Sequence, residues 1–427
     1  MCKMAFTISD HDPNLLLYEQ LDDEEICELL SPVGFADWRA ACFCLERIAD
    51  DSRTKRIVAA FLPHLLATLA GAANPDGVLV SFERFASAVP DRRILFEYLG
   101  DSPRAVEILV MLFASSQFLT EILLRNPEYF ERLMEYKRLA QPKSVRQLHR
   151  EAQATLDLSG LAAENLNALR RFQRWELLRI GACDLFDLFD LLTVTSQLSN
   201  LADSLVQASL GISAAKSRTE VDGFAVIGLG KLGGRELNYS SDIDLVFVAE
   251  SDATAYSRMG ERLIDTLEHP TDEGFLYRVD MRLRPWGRTG ALVSSLDGYL
   301  NYLKQNARLW EKQAFLKARV IAGDETVGSE LLRRAEPLLF ELAPEDIRAE
   351  VHEMKQRTEA HLRKRGRDWG EVKLGAGSIR DAEFVTQYLQ LVYGRQYPAI
   401  LSANTLDALA RLSESGLLSR DESLVLR

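Results

Sequence analysis

Asp242 and Asp244 stand two residues apart where an apolar run, IDLVFVAE, begins, and a third aspartate, Asp280, falls in the later alternating segment YRVDMRLRP. Carboxylates two apart on a strand share a face. With a third on a neighbouring strand they make a set of hard oxygen donors that suits two Mg2+ ions, one activating an attacking oxygen and one stabilising a leaving phosphate. Arg282 and Arg284 share the strand phase of Asp280 and suit bidentate contact with phosphate oxygens. Upstream, Gly233-Gly234 reads as the opening of a short helix, where backbone N–H groups reach a phosphate with no Cβ in the way. Lys231, Ser240 and Ser241 add charge and hydrogen bonds to that cradle. Asp242, Asp244, Asp280, Arg282 and Arg284 are thus candidate catalytic residues, the three aspartates also metal ligands, for a nucleotidyl transfer.

The same stretch spells a rival motif. Gly228, Gly230 and Gly233 form a G-x-G-x-x-G after an apolar run, with Glu250 about twenty positions on, the outline of a dinucleotide site. That site needs a full helix after the glycines, yet only Lys231 to Tyr239 precede Ser240-Ser241-Asp242. Its next strand should also be plainly apolar, and here two aspartates open it. The dinucleotide reading is set aside. Paired aspartates can equally be caps or turn residues, but the upstream Gly-Gly and the in-phase Asp280 favour a site.

Positioning these residues requires a sheet. GFAVIGLG and IDLVFVAE read as buried strands, and GFLYRVDMRLRP alternates from Val279 onward, with Asp280, Arg282 and Arg284 on one face and Met281 and Leu283 on the other. Ala255 to Glu268 is helical in composition. Before this module the chain reads as helix after helix, as in Leu166, Leu169, Phe172 and Trp175, or Val194, Leu198, Leu201, Leu205 and Ala208. After Pro285 and a glycine-rich turn it returns to helix from about Ser295. The expected fold is mostly α with an inserted α/β module: residues 1–219 helical, 220–292 the catalytic core, 293–427 helical. Trp310, Glu311, Gln313, Lys317 and Arg319 are placed on one helix, Gln313 and Lys317 a turn apart, which either lines a nucleotide cleft or is a salt-bridged support. The same alternatives hold for Arg380, Asp381 and Glu383.

Composition narrows the class. A chain of 427 residues, 47% apolar and 27% charged, has the balance of a soluble globular protein. No apolar run spans a membrane and the start lacks a signal-peptide order, so the expected location is cytoplasmic, with no membrane role. A net charge of −12 argues against a general nucleic-acid binder. The basic run from His361 to Arg367 reads as a solvated helix end before Gly366. Cys2, Cys27, Cys42, Cys44 and Cys183 show no C-x-x-C spacing and read as idle thiols. The six histidines, His11 the first of them, form no ligand cluster.

GLGKLGGRELNYSSDIDLVFV, VDMRLRPWGRTGALVSS and WEKQAFLKARVIAGD, followed by VKLGAGSIRDAEFVTQYLQLVYG, resemble the glutamine synthetase adenylyltransferase family. The resemblance extends more loosely back through LRRFQRWELLRIGACDLFDLFDLLTVTSQLSNLADSLVQASL, and spans roughly residues 110–415. It implies a polymerase-β-like nucleotidyltransferase domain flanked by helical bundles, Mg2+ held by Asp242 and Asp244 with Asp280 the natural third, and glutamine synthetase as protein substrate. In that family one domain attaches AMP to a tyrosine of the synthetase using ATP, and the N-terminal one removes it with phosphate, releasing ADP. LNYSSDID, where the transferase half tends to carry Gly in place of Asn238, and GSIRDAEF, with Arg380, resemble the removing half. Ser378 and Ala382 depart from the family pattern Gly-Gly-Ile-Arg-Asp/Glu-h-Glu-Phe. The favoured expectation is phosphorolytic removal of AMP. ATP-dependent addition, and a regulatory module sensing the PII signal protein or a small effector, are the alternatives.

Overall fold

The computed structural model describes residues 12–18, 20–135, 139–159, 162–366 and 369–426; Cys2, His11 and Arg367 lie outside them. Helix makes up 66% of it, joined by one small mixed sheet, so the chain is mostly α with an inserted α/β module as expected. Helices fill the chain up to Ser217, and short polar residues start many of them. Asp22, Asp37, Asp51, Asn74, Asp91 and Ser116 each accept a first-turn backbone N–H. Among the described residues, no helix is long and apolar enough to cross a membrane.

By contacts the chain forms two compact units, Met1–Gln141 with Arg174–Leu191, and Pro142–Gln173 with Leu192–Arg427. The first is all helix around an aromatic core. Phe61 packs on Phe82 and Phe96 at ring distances of 6.2 and 5.6 Å, and Trp175 lies between Tyr129 and the Arg132 guanidinium, 3.6 Å above its ring. Burial raises the Cys44 and Cys183 thiols to about 11, which keeps them protonated and inert.

The second unit holds the sheet. Strands β1 (Phe224–Leu229) and β2 (Ile243–Ala249) pair antiparallel, with Leu229 opposite Asp244. Strand β3 (Val279–Asp280) runs parallel to the start of β2, β4 (Val293–Ser295) parallel to its end, and β5 (Arg319–Gly323) antiparallel to β1, giving the order β3-β2-β1-β5. Ala225, Ile227, Leu229, Val246 and Val248 face one core, shared with helices Leu296–Gln305 and Glu325–Leu339. Helix Ala253–Glu268 packs on β2 and β4. With helices on both faces, β1 and β2 are apolar throughout rather than alternating. Asp244 is the one residue of β2 that is not buried.

Three expectations need correction. The strand read from Val279 to Arg284 stops at Asp280, because the Asp280 carboxylate accepts the Arg282 backbone N–H at 2.8 Å and turns the chain before Pro285. Arg282 and Arg284 therefore do not share a strand face with Asp280. After Pro285 the sequence predicts a glycine-rich turn and then helix from about Ser295, interrupted only at VKLGAGSIRD, but β4 closes that turn and β5 lies among the helices. Finally, the helix carrying Gln313 ends at Phe315, which puts Lys317 in the following turn and Arg319 in β5.

Candidate nucleotidyl-transfer site

The register of β2 with β3 sets Asp244 directly beside Asp280, and Asp242 immediately precedes β2. Two carboxylates thus sit side by side near one edge of the sheet, with Asp242 two residues before Asp244. Burial, and then the neighbouring Asp280, push the Asp244 carboxyl up to about 6, against the pull of Arg282. Its oxygens accept no hydrogen bond from the described residues. Gly230, at φ +53, makes room for it, since a Cβ there would collide with Asp244 Oδ2.

The other two carboxylates are held by arginines. Arg278 Nε donates to Asp242 Oδ1 at 2.5 Å, and its NH2 reaches the Ser240 carbonyl at 3.3 Å. Arg282 Nε donates to both Asp280 oxygens, at 3.0 and 2.7 Å. Burial works to raise Asp280, yet the bonds and charge of Arg282, with Arg288 behind it, hold it below the usual carboxylate range. So held, no group of three or more His, Cys, Asp or Glu among the described residues is arranged around a metal position. The donor set still suits Mg2+: three hard carboxylates, one of them half-buried beside another acid and without a cation of its own, a deficit that a divalent ion relieves.

Opposite lies the glycine turn. A single helical turn, Gly230–Gly233, follows β1, so Gly233 and Gly234 close it rather than open it. Both must be glycine for packing: a Cβ on Gly233 would collide with the Lys317 carbonyl, and one on Gly234 would lie 2.7 Å from the Ala403 carbonyl. Lys231, half-buried, points to the side-chain amide of Asn238. With that amide turned to satisfy both neighbours, Asn238 accepts from Lys231 Nζ at 3.0 Å and donates to the Glu236 carbonyl at 3.2 Å. Burial and the charge of Lys373 lower the Lys231 ammonium from its ordinary value. The Ser240 and Ser241 hydroxyls make no hydrogen bond among the described residues, while the Ser241 N–H bonds the Asn238 carbonyl at 3.3 Å.

The structure therefore brings Asp242, Asp244, Asp280 and Arg282 together and places Arg284 elsewhere. The Arg284 guanidinium donates to the carbonyls of Met281, Arg288 and Gly290 at 3.0, 3.2 and 3.3 Å and ties the loop after β3 into a knot. Sequence reasoning gave Asn238 only as a mark of the removing half, not as the partner of Lys231, and missed Arg278, Arg288 and Lys373. Arg278 was within reach of it, two positions before Asp280 in the same alternating run; Lys373 comes from a distant loop with no local signal. Of the support residues, Glu311 accepts from Tyr302 at 2.6 Å, Asp381 accepts from Lys355 at 2.8 Å, Arg380 lies 5.9 Å from the Phe384 ring, and Glu383 accepts from Lys317 at 3.1 Å.

Residues 106–334, more than half of the chain, match the sequence model of the glutamate-ammonia ligase adenylyltransferase family. Residues 345–427 match that of the GlnD PII-uridylyltransferase family, a second nucleotidyltransferase-related group.

Proposed function

Because the chain belongs to the glutamate-ammonia ligase adenylyltransferase family, whose nucleotidyltransferase activity acts on glutamine synthetase, we propose that its reaction is phosphorolytic removal of AMP from the modified tyrosine of the synthetase. The observation that carries the catalytic assignment is the register of Asp244 with Asp280, next to Asp242 and facing the Lys231 turn. The direction is supported by Asn238, which holds the Lys231 ammonium at the position where the AMP-adding half tends to carry glycine.

In this reading an oxygen of inorganic phosphate attacks the AMP phosphorus, the new P–O bond gives ADP, and the bond to the tyrosine oxygen breaks. Phosphate is already a dianion, so no general base is required. Asp242, Asp244 and Asp280 would hold two Mg2+, which when bound neutralise charge on the attacking and leaving oxygens. Lys231 and the first N–H groups of the glycine turn orient the phosphate, the Gly234 N–H being bonded to the Gly230 carbonyl. Arg282, next to Asp280, stabilises charge on the phosphoryl oxygens, and the Ser240 and Ser241 hydroxyls are free to hydrogen-bond them. The similarity of residues 345–427 to a PII-uridylyltransferase supports the PII signal protein as a regulator.

The test is to incubate the purified chain with AMP-modified glutamine synthetase, Mg2+ and inorganic phosphate, following ADP. ADP that requires phosphate and disappears in Asp242→Asn is the expected result. AMP transfer from ATP to unmodified synthetase, with no ADP from the modified form, would reverse the assignment. Activity unchanged in Asp242→Asn would remove the metal reading.

A further inference from the structure

Beneath the glycine turn lies a buried cation that the reaction above does not use. Lys317 is 5% exposed, and its ammonium donates to Glu236 Oε2 at 3.0 Å, to Glu383 Oε1 at 3.1 Å and to Thr405 Oγ1 at 3.0 Å. A lysine has three N–H donors, so none is left for a ligand. Glu236 follows the glycine turn, its N–H bonded to the Lys231 carbonyl at 2.8 Å, Glu383 lies on helix Ile379–Tyr393, and Thr405 begins helix Thr405–Glu414. The backbone of Lys317 presses on Gly233, the Asn404 amide donates to the Gly234 carbonyl at 3.2 Å, and the Thr405 N–H donates to Glu236.

The same two acids act on Lys231: burial and the Lys373 charge lower its ammonium, Glu383 and Glu236 favour the charged form, and Lys317 opposes it. Glu236 and Glu383 are only 18% and 26% exposed at their side chains, so each needs a cation. Lys231, on a flexible four-carbon stem, is a nearby cation that could answer. It bonds instead to the neutral Asn238 amide.

We infer that Lys317 is a positioning residue: by occupying Glu236 and Glu383 it keeps these acids from capturing Lys231, and so leaves the Lys231 ammonium available to a phosphate ligand. The inference rests on the reading that Lys231 faces phosphate, and the experiment separates the two. The full-length chain is titrated with inorganic phosphate by calorimetry, and the Lys231 side chain is titrated by NMR of 13C-methylated lysines, assigned with Lys231→Arg.

Lys317→Met is expected to weaken phosphate binding about tenfold or more and to raise the Lys231 midpoint, because two unpaired acids turn to it. The triple variant K317M/E236Q/E383Q has no acids left to capture Lys231 and is expected to restore phosphate binding and to bring the Lys231 midpoint back to the wild-type value or below it, since the two acids that raise it are gone. A Lys317→Met chain with an unmoved Lys231 midpoint would overturn the inference. So would a folded triple variant that binds phosphate as weakly as Lys317→Met. Neutral isosteres of a buried charged cluster are often tolerated, so if the single variant does not fold, the triple variant decides by its phosphate affinity. If the wild-type chain binds no phosphate, the phosphate reading of the turn fails, while the NMR midpoint still decides whether Lys317 governs Lys231.

Discussion

Asp244 is the residue on which most of the proposed chemistry converges, and its environment makes a testable claim about the protein without metal. Its carboxyl titrates at about 6 in the folded chain against 3.8 when unperturbed, with burial the largest cause. Between roughly pH 4 and 6 the native state then binds more protons than the unfolded state, so stability falls as pH rises through that window, by about 2–3 kcal/mol in all. Asp244→Asn is expected to flatten that slope and to be the more stable protein at pH 8 by a comparable amount, as read by urea midpoints from pH 4 to 8 in chelator. It should also lower the catalytic rate by about 100-fold or more. Two nearby arginines divide the other way. Arg282, with a side chain 66% exposed, should on change to Ala lose activity with little effect on melting temperature. Arg284, tied to three carbonyls, should on the same change lose about 1–3 kcal/mol of stability, measured by thermal unfolding.

At the scale of elements, the strands with uniform apolar runs were legible in the sequence, and so was the pairing of Asp242 and Asp244 at the head of one of them. Strand β3 was legible only to Asp280. The alternation in VDMRLRP is real in the sequence, but the Asp280 side chain takes the Arg282 N–H and Arg284 takes three carbonyls, so local hydrogen bonds outcompete a ladder. The glycines make a contact that local sequence does not show. Gly233 and Gly234 look like a phosphate turn from their neighbours in sequence, and the atoms that forbid a side chain there belong to Lys317 and Ala403. No spacing rule reveals a contact made across more than eighty residues. The consequence is measurable. Gly233→Ala, with no left-handed backbone to strain, should still cost about 2–4 kcal/mol, because its Cβ meets a backbone oxygen that cannot move aside. Gly377→Ala, at φ +72 with nothing within 4 Å, should cost nearer 1 kcal/mol. Chemical denaturation of the two variants compares steric and conformational cost directly.

At the scale of the whole chain, the residues that match the adenylyltransferase family model stop at 334, yet the catalytic turn draws support from beyond that point. Glu383 and Thr405 complete the shell of Lys317, and Asn404 bonds the Gly234 carbonyl. Lys373 lowers both Lys231 and Asp244 by its charge. A chain cut after Gly370 keeps every strand and all three aspartates but strips these contacts away. Lys317 would be left with Glu236 alone, and a buried cation deprived of a partner typically costs about 3–5 kcal/mol. The glycine turn would also lose its bond from Asn404. Truncation after Gly370 is therefore expected to lower the melting temperature and to lose activity, whereas truncation after Ser415, beyond the last of these contacts, should keep most of both. The two truncations, assayed side by side for AMP removal and thermal unfolding, locate where the catalytic unit ends. Equal activity in both would mean that the sheet and its aspartates suffice, and that the C-terminal helices dock on the turn without serving it.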